Sequence, residues 1–138
     1  MDPIIFNTNE KDLPKSAHGK SFIIHEWRGS GPPYLHVHHV DDEAWYILEG
    51  VLTFRFQDRS FEALQGTMVM VPAGTPHTYS ADASARYLII LTERLDRLIR
   101  ELQSSPIADH PEIMKKYESE ILKLLYFRIV WKCITILI

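Results

Sequence analysis

The sequence contains little cysteine and no excess of basic charge, and each shortage excludes a class of protein. The one cysteine, Cys133, excludes an intrachain disulfide framework and suits a reducing compartment. Lysine and arginine total 15 against 18 aspartates and glutamates, which gives a net charge of -3 at pH 7. No basic stripe compensates for this balance, so the sequence argues against a nucleic-acid partner.

Two further shortages concern export and membranes. The N-terminus, from Met1 to Asn7, has neither the basic segment nor the apolar core of a signal peptide, so we expect a cytoplasmic protein. The apolar run over residues 124–138 is short for a membrane span and is interrupted by Arg128 and Lys132. We therefore expect this tail to pack on the rest of the fold or on a second subunit, and we expect no membrane partner.

The first ninety residues alternate between β-branched or aromatic segments and turn signals. Many short strands at such intervals predict a mainly β fold, a sandwich or barrel. The pair Glu49-Gly50 predicts a two-residue hairpin. The wholly apolar segment 67–71 predicts a strand buried on both faces. The predicted strands cover residues 21–27, 34–39, 43–48, 51–57, 67–71, 77–80 and 85–91.

The period changes after Thr92, where leucines recur at helical spacing from Leu95 to Leu102. Pro111 suits the start of a second helix, whose apolar positions run as far as Leu125. Two helices that follow a barrel usually pack on its outside. We therefore predict one 138-residue domain with a barrel over residues 1–92 and a helical extension with an apolar tail over 93–138.

Three histidines and one glutamate stand in two segments that fit together as one metal site. His36 and His38 are two residues apart, which places both side chains on one face of a strand. Glu43 can start the next strand after a turn, and His77 follows a turn stiffened by two prolines. Three imidazoles and a carboxylate suit a first-row transition metal better than calcium or magnesium, and they leave one or two coordination positions open.

Several side chains near these four have predicted positions. Tyr34 shares the face of His36, and Tyr79 shares the face of His77, so both tyrosines are candidates for the substrate pocket. His39 points to the opposite face and should stay off the metal. Arg55, between two phenylalanines, should face solvent, and His110, in a polar segment, should be solvated.

The two segments resemble the two signature motifs of the cupin superfamily. The family's first motif reads Gly, five residues, His-x-His, three or four residues, Glu, six residues, Gly. Its second reads Gly, five residues, Pro-x-Gly, two residues, His, three residues, Asn. The leading glycine is displaced by one position and the closing asparagine is Ala81, and the likeness covers about residues 20–91. The matching positions are His36, His38, Glu43 and Gly50 in the first motif, and Gly66, Pro72, Gly74 and His77 in the second.

The resemblance implies a double-stranded β-helix, or jelly roll, that holds one divalent ion of manganese, iron, nickel, zinc or copper. It implies His36, His38, Glu43 and His77 as the metal ligands. The stretch from Thr92 to about Leu122 resembles the helical extension of small quercetin-dioxygenase-like cupins. Single-domain cupins are commonly homodimers, so we expect a homodimer that binds a small molecule.

Three functions are compatible with such a site. A dioxygenase would use the metal to bring dioxygen beside a small organic substrate, with Glu43 as ligand and proton acceptor. An isomerase or lyase of a sugar or keto acid would use the ion as a Lewis acid, with Arg55 as the main candidate for holding an anionic group. A non-catalytic binding protein would hold the metal in a closed, structural site.

Overall fold

The computed structural model describes residues 1–12 and 14–122, and two antiparallel five-stranded sheets form its core. The predicted tail over residues 124–138 lies outside the described residues. In chain order the strands are β1 Ser16–His18, β2 Ile23–Trp27, β3 His36–His38, β4 Glu43–Glu49, β5 Leu52–Phe56, β6 Ser60–Ala63, β7 Met68–Val71, β8 His77–Ala81, β9 Arg86–Leu91 and β10 Ser119–Ile121. The first sheet has the order β1-β2-β9-β4-β7 and the second has the order β10-β3-β8-β5-β6.

The core lies between the two sheets and follows from alternation along the strands. On β4, Trp45 and Ile47 are fully buried, whereas Tyr46 between them is exposed. The edge of the Trp45 ring meets Phe54 of the other sheet, with ring centroids 5.0 Å apart. Each such side chain stabilises the fold by roughly 1.5–3 kcal/mol on burial. The mainly β fold class is therefore confirmed.

Consecutive strands frequently lie in different sheets, and this corrects two predictions. The turn at Glu49-Gly50 joins β4 of the first sheet to β5 of the second, so it is not a hairpin. β7 lies at the edge of its sheet, and Met68 and Met70 are exposed on the outer face. The prediction that residues 67–71 are buried on both faces is wrong, because an apolar run does not reveal whether a second layer covers the strand.

The predicted first helix is confirmed as α1, Glu93–Gln103, which begins after Thr92. The Thr92 hydroxyl accepts a hydrogen bond from the Leu95 backbone N–H at 3.2 Å, as an N-cap should. Asp96 on the buried side of α1 lies 2.7 Å from Nε2 of His25 on β2. This contact and the buried leucines fasten α1 to the first sheet. Among the described residues, no helix is both long enough and apolar enough to cross a membrane.

The second predicted helix is shorter than its sequence pattern indicates. A 3-10 turn at Ile107–Asp109 leads into α2, His110–Lys116, and the chain then turns through Glu118 with a φ of 56°. Residues 119–121 form β10, which pairs with β3 so that Ser119 lies opposite His38. Pairing with an open strand edge thus overrides the helical periodicity, and the extension returns to the barrel beside the candidate ligands.

Candidate metal centre

The structure brings the four predicted ligands together between the two sheets. His36 and His38 lie on β3, and His77 starts β8 directly opposite His36. Glu43 is the first residue of β4 and reaches the same point from the other sheet. All four side chains are buried, and their candidate ligand atoms lie within 4.8 Å of one another.

The loop before His77 is held at several points. Gly74 adopts a φ of 85°, which favours glycine, and its N–H donates to the His38 carbonyl at 2.7 Å. The Ala73 N–H donates to Oδ1 of Asp42 at 2.9 Å. The turn is therefore fastened to the segment that carries the other ligands.

Two of the imidazoles are oriented by backbone carbonyls. Nδ1 of His36 lies 3.2 Å from the Tyr34 carbonyl, and Nδ1 of His77 lies 2.9 Å from the Thr75 carbonyl. A carbonyl oxygen only accepts, so each Nδ1 carries the proton and donates it. In the neutral ring the Nε2 atom is then left with a free lone pair, which is the form in which histidine binds a metal.

The third imidazole is oriented by the helical extension. Nδ1 of His38 lies 2.8 Å from the hydroxyl of Ser119, and that hydroxyl donates to the Tyr117 carbonyl at 3.2 Å. Since the serine proton goes to the carbonyl, the serine oxygen accepts from His38 Nδ1. In the neutral ring the Nε2 lone pair of His38 is therefore also available to bind a metal at the centre of the cluster.

The cluster has the electronic character of a cation site. Nε2 of His77 and of His38 lie 3.0 Å and 3.3 Å from the same carboxylate oxygen of Glu43. Ligands about 2.1 Å from one ion, at angles of 90–110°, lie roughly 3.0–3.4 Å apart, so these separations fit a shared metal. Lone pairs of two neutral imidazoles that face a carboxylate repel each other unless a positive charge lies between them. The residues therefore fit a transition-metal ion.

Electrostatics keep the ligands in their binding forms. Burial lowers the pKa of His36 well below its usual range, and the neighbouring His77 and His38 lower it further, so the ring is neutral. Burial alone would raise the pKa of Glu43. In the metal-free protein a proton at Nε2 of His38 or His77 takes the place that a metal would occupy. The resulting hydrogen bonds and charge interactions outweigh burial and hold the pKa of Glu43 below its usual range, so the side chain is a carboxylate.

A cavity of about 330 Å³ opens beside the cluster, and all four candidate ligands lie in its wall. Residues of β2, α1 and α2 form much of the remaining wall, so the helical extension helps to enclose the site. Coordination positions that the protein leaves free would therefore face this cavity. Its apolar lining consists mainly of Trp27, Leu98, Ile99, Leu102 and Met114.

Of the two predicted pocket tyrosines, Tyr79 lies in the cavity wall. Its hydroxyl is 2.9 Å from that of Tyr87, which donates to the Gly29 carbonyl at 2.7 Å, so Tyr79 donates to Tyr87. Burial raises the pKa of Tyr79 and raises that of Tyr87 to about 12. Both phenols are therefore neutral near pH 7. A contact between Tyr79 and substrate stays a prediction.

Tyr34 lies behind the site and forms part of its support. It is fully buried, the edge of its ring faces His36 at a centroid distance of 6.1 Å, and its hydroxyl lies 2.7 Å from Nδ1 of His110. Nε2 of His110 donates to the Leu102 and Ser105 carbonyls, so Tyr34 is the donor to Nδ1. The prediction that His110 is solvated is wrong. A pocket role for Tyr34 stays a prediction.

The remaining side chains singled out in the sequence lie apart from the cluster. His39 is exposed and lies 3.2 Å from Glu120, as its opposite parity on the strand predicts. Arg55 is exposed, as predicted from its place between two phenylalanines. No sequence pattern pointed to the roles of His110 and Ser119, because their partners lie 76 and 81 positions away along the chain.

The family model for the cupin domain matches residues 22–91, a range that includes all four candidate ligands. The chain belongs to the cupin family. Among curated proteins, none matches the sequence. Three solved structures are similar in fold. A cupin-2 domain protein from Shewanella frigidimarina is 23% identical over 64% of this chain and 95% of its own, with a TM-score of 0.54.

The other two structures have a slightly lower sequence identity to this chain. A cupin protein from Bacteroides fragilis is 19% identical over 67% of this chain and 86% of its own, with a TM-score of 0.52. Protein NMB1881 from Neisseria meningitidis is 19% identical over 65% of this chain and all of its own, with a TM-score of 0.54. At such identities the likeness shows that this cupin shares their fold, and it shows nothing about a reaction.

Proposed function

We propose that this cupin is a mononuclear metal-dependent dioxygenase that acts on a small organic substrate. One observation carries the proposal: three histidines and one carboxylate, oriented for a metal, lie in the wall of a largely apolar cavity. When bound, a redox-active metal would supply a place where dioxygen and a substrate oxygen meet. Four protein ligands leave one or two positions for this purpose.

The chain's own residues would contribute orientation, proton transfer and exclusion of water. Hydrogen bonds at Nδ1 hold the three imidazoles, which limits the reorganisation that metal binding requires. Glu43 is a carboxylate at the cavity wall, and in this proposal it accepts the proton of a substrate hydroxyl, whose acidity a bound metal would raise to match the low basicity of Glu43. The apolar walls formed by α1 and α2 would keep water away from the reacting atoms.

The other two functions have less support from the geometry. A structural metal needs a closed site, whereas these four ligands border a cavity of about 330 Å³. The isomerase or lyase alternative named Arg55 as the main candidate for holding an anionic group, but Arg55 is exposed and is not among the residues that line the cavity beside the candidate ligands. The dioxygenase proposal therefore accounts for more of the site.

Oxygen consumption tests the proposal. Protein purified without a nickel column should consume dioxygen with flavonols or diketones, in proportion to its content of iron, manganese, copper or nickel. Glu43→Gln should consume little, while His39→Ala, which changes a histidine outside the cluster, should behave as the parent does. Turnover with zinc and no oxygen consumption would contradict the proposal and favour Lewis-acid chemistry.

The homodimer stays a prediction based on the family resemblance. Light scattering coupled to size-exclusion chromatography should give twice the chain mass of 16.1 kDa. A mass of one chain at micromolar concentration would contradict it.

A further inference from the structure

We propose that Arg28 selects the substrate of this site and that the substrate is a small carboxylate with an aromatic or apolar body. The inference rests on the proposed function, because the same cavity would hold the substrate of the metal centre. It goes further by assigning a chemical class and a specificity-determining residue.

Arg28 supplies the free positive charge of the cavity lining. Apart from histidines, Arg28 and Glu43 are the charged residues in the described part of the lining. The Glu43 carboxylate already interacts with His38 and His77. Arg28 forms no ion pair with the described residues, although the chain carries 18 acidic side chains. Its guanidinium donors are therefore free to bind an anion.

The rim that carries Arg28 is fastened to the barrel. The next residue, Gly29, accepts a hydrogen bond from the Tyr87 hydroxyl at 2.7 Å, and Ser30 accepts one from the Ala81 N–H at 2.9 Å. Gly31 lies so close to Tyr79 that a Cβ there would approach the ring to 2.6 Å. These contacts fix the backbone immediately after Arg28, so the arginine starts from a defined place on the rim.

The walls indicate the body of the ligand. The indole of Trp27 and the side chains of α1 and α2 offer apolar surface for one ring or a short hydrocarbon chain. A sugar would leave hydroxyl groups unpaired against this surface, which is costly. A volume of about 330 Å³ lies near the lower end of the range for ligand pockets, which suits a compact molecule.

The chemistry of arginine points to a carboxylate. Its planar fork matches the two oxygens of a carboxylate and forms paired, charge-assisted hydrogen bonds. Gln103 at the end of α1 also borders the cavity and offers further amide donors. The Arg28 side chain itself is exposed, so its contribution belongs at the lower end for charged hydrogen bonds, which corresponds to about tenfold in affinity.

Matched neutral and anionic probes test the inference by isothermal titration of the metal-containing protein. The probes are 3-phenylpropanoate with 3-phenylpropanamide, and phenylacetate with phenylacetamide. In each pair the carboxylate should bind about tenfold more tightly than the amide. Arg28→Gln should abolish this preference while leaving amide affinity and metal content unchanged. Arg59→Gln removes the same charge from an exposed turn of the other sheet and should keep the preference.

Three results would overturn the inference. A preference for the carboxylate that persists in Arg28→Gln would mean that another group, such as the metal, binds the anion. Failure of the parent protein to bind any probe would refute the substrate class. Phenyl phosphate that bound more tightly than either carboxylate, and depended on Arg28, would replace carboxylate with phosphate. Metal content and oxygen consumption test the proposed dioxygenase separately, so none of these three binding results would by itself refute that proposal.

Discussion

Replacing Ser119 should weaken metal binding although this residue is not a ligand. The Ser119 hydroxyl, on β10, accepts from Nδ1 of His38 at 2.8 Å and is itself buried. Ser119→Ala would leave the imidazole without the partner that fixes its orientation and its protonation. The Nε2 atom of His38 would then be directed less well toward Glu43, now 3.3 Å away.

The magnitude follows from comparable supporting contacts. Loss of a partner that orients a ligand typically costs about 10–100-fold in metal affinity, or about 1.4–2.7 kcal/mol. The fold should also lose about 1–3 kcal/mol, because the Nδ1 proton of His38 and the Tyr117 carbonyl lose a buried partner. Both effects are small enough for the variant to fold, so its affinity is measurable.

Competition with a chromogenic chelator gives the metal affinity of the parent and of Ser119→Ala. Ser80→Ala provides the matched control, because Ser80 is exposed on β8 of the same sheet. We expect the control to bind metal as the parent does. Equal affinity in Ser119→Ala and Ser80→Ala would refute the reasoning that the helical extension supports the metal site.

Four further changes test the site and the core. His77→Ala removes one of four ligands, so metal occupancy should fall sharply, and full occupancy would contradict the ligand assignment. His39→Ala should leave metal content unchanged, and a large loss would mean that the strand register is displaced by one residue. Leu98→Ala should lower the free energy of unfolding, measured in urea, by about 2–5 kcal/mol, because Leu98 is fully buried. A loss below about 1 kcal/mol would argue against tight packing of α1 on the sheet. Burial and the neighbouring His77 and His38 lower the pKa of His36, so below about pH 6.5 the unfolded chain binds a proton that the folded, metal-free protein resists. The free energy of unfolding of the metal-free protein should therefore fall by up to about 1.4 kcal/mol per pH unit as the pH drops below about 6.5, and more steeply than in His36→Gln. Equal slopes in the two proteins would contradict a neutral His36.

The cluster of four candidate ligands could be predicted because the sequence features that indicate it are local. The spacing of two between His36 and His38 sets a common face on any strand. The turn before His77 depends on proline and glycine within the turn itself. Such features do not require knowledge of which strands become neighbours, so the four side chains could be grouped before the fold was known.

The supports of the cluster could not be predicted in the same way. His110 contacts Tyr34, 76 residues away along the chain, and Ser119 contacts His38, 81 residues away. The residues next to His110 and Ser119 in the sequence do not indicate these partners. β10 could not be found from periodicity either, since its three residues become a strand by pairing with the open edge of β3. The sequence pattern also did not predict the short strands β1 and β6, because most of their residues are exposed.

The central claim is that His36, His38, Glu43 and His77 hold one transition-metal ion. Elemental analysis of protein purified without a nickel column tests it most directly, with His77→Ala analysed alongside. We expect about one equivalent of manganese, iron, nickel, copper or zinc per chain in the parent, and far less in the variant. A parent protein without metal, or a variant with as much metal as the parent, would contradict the claim.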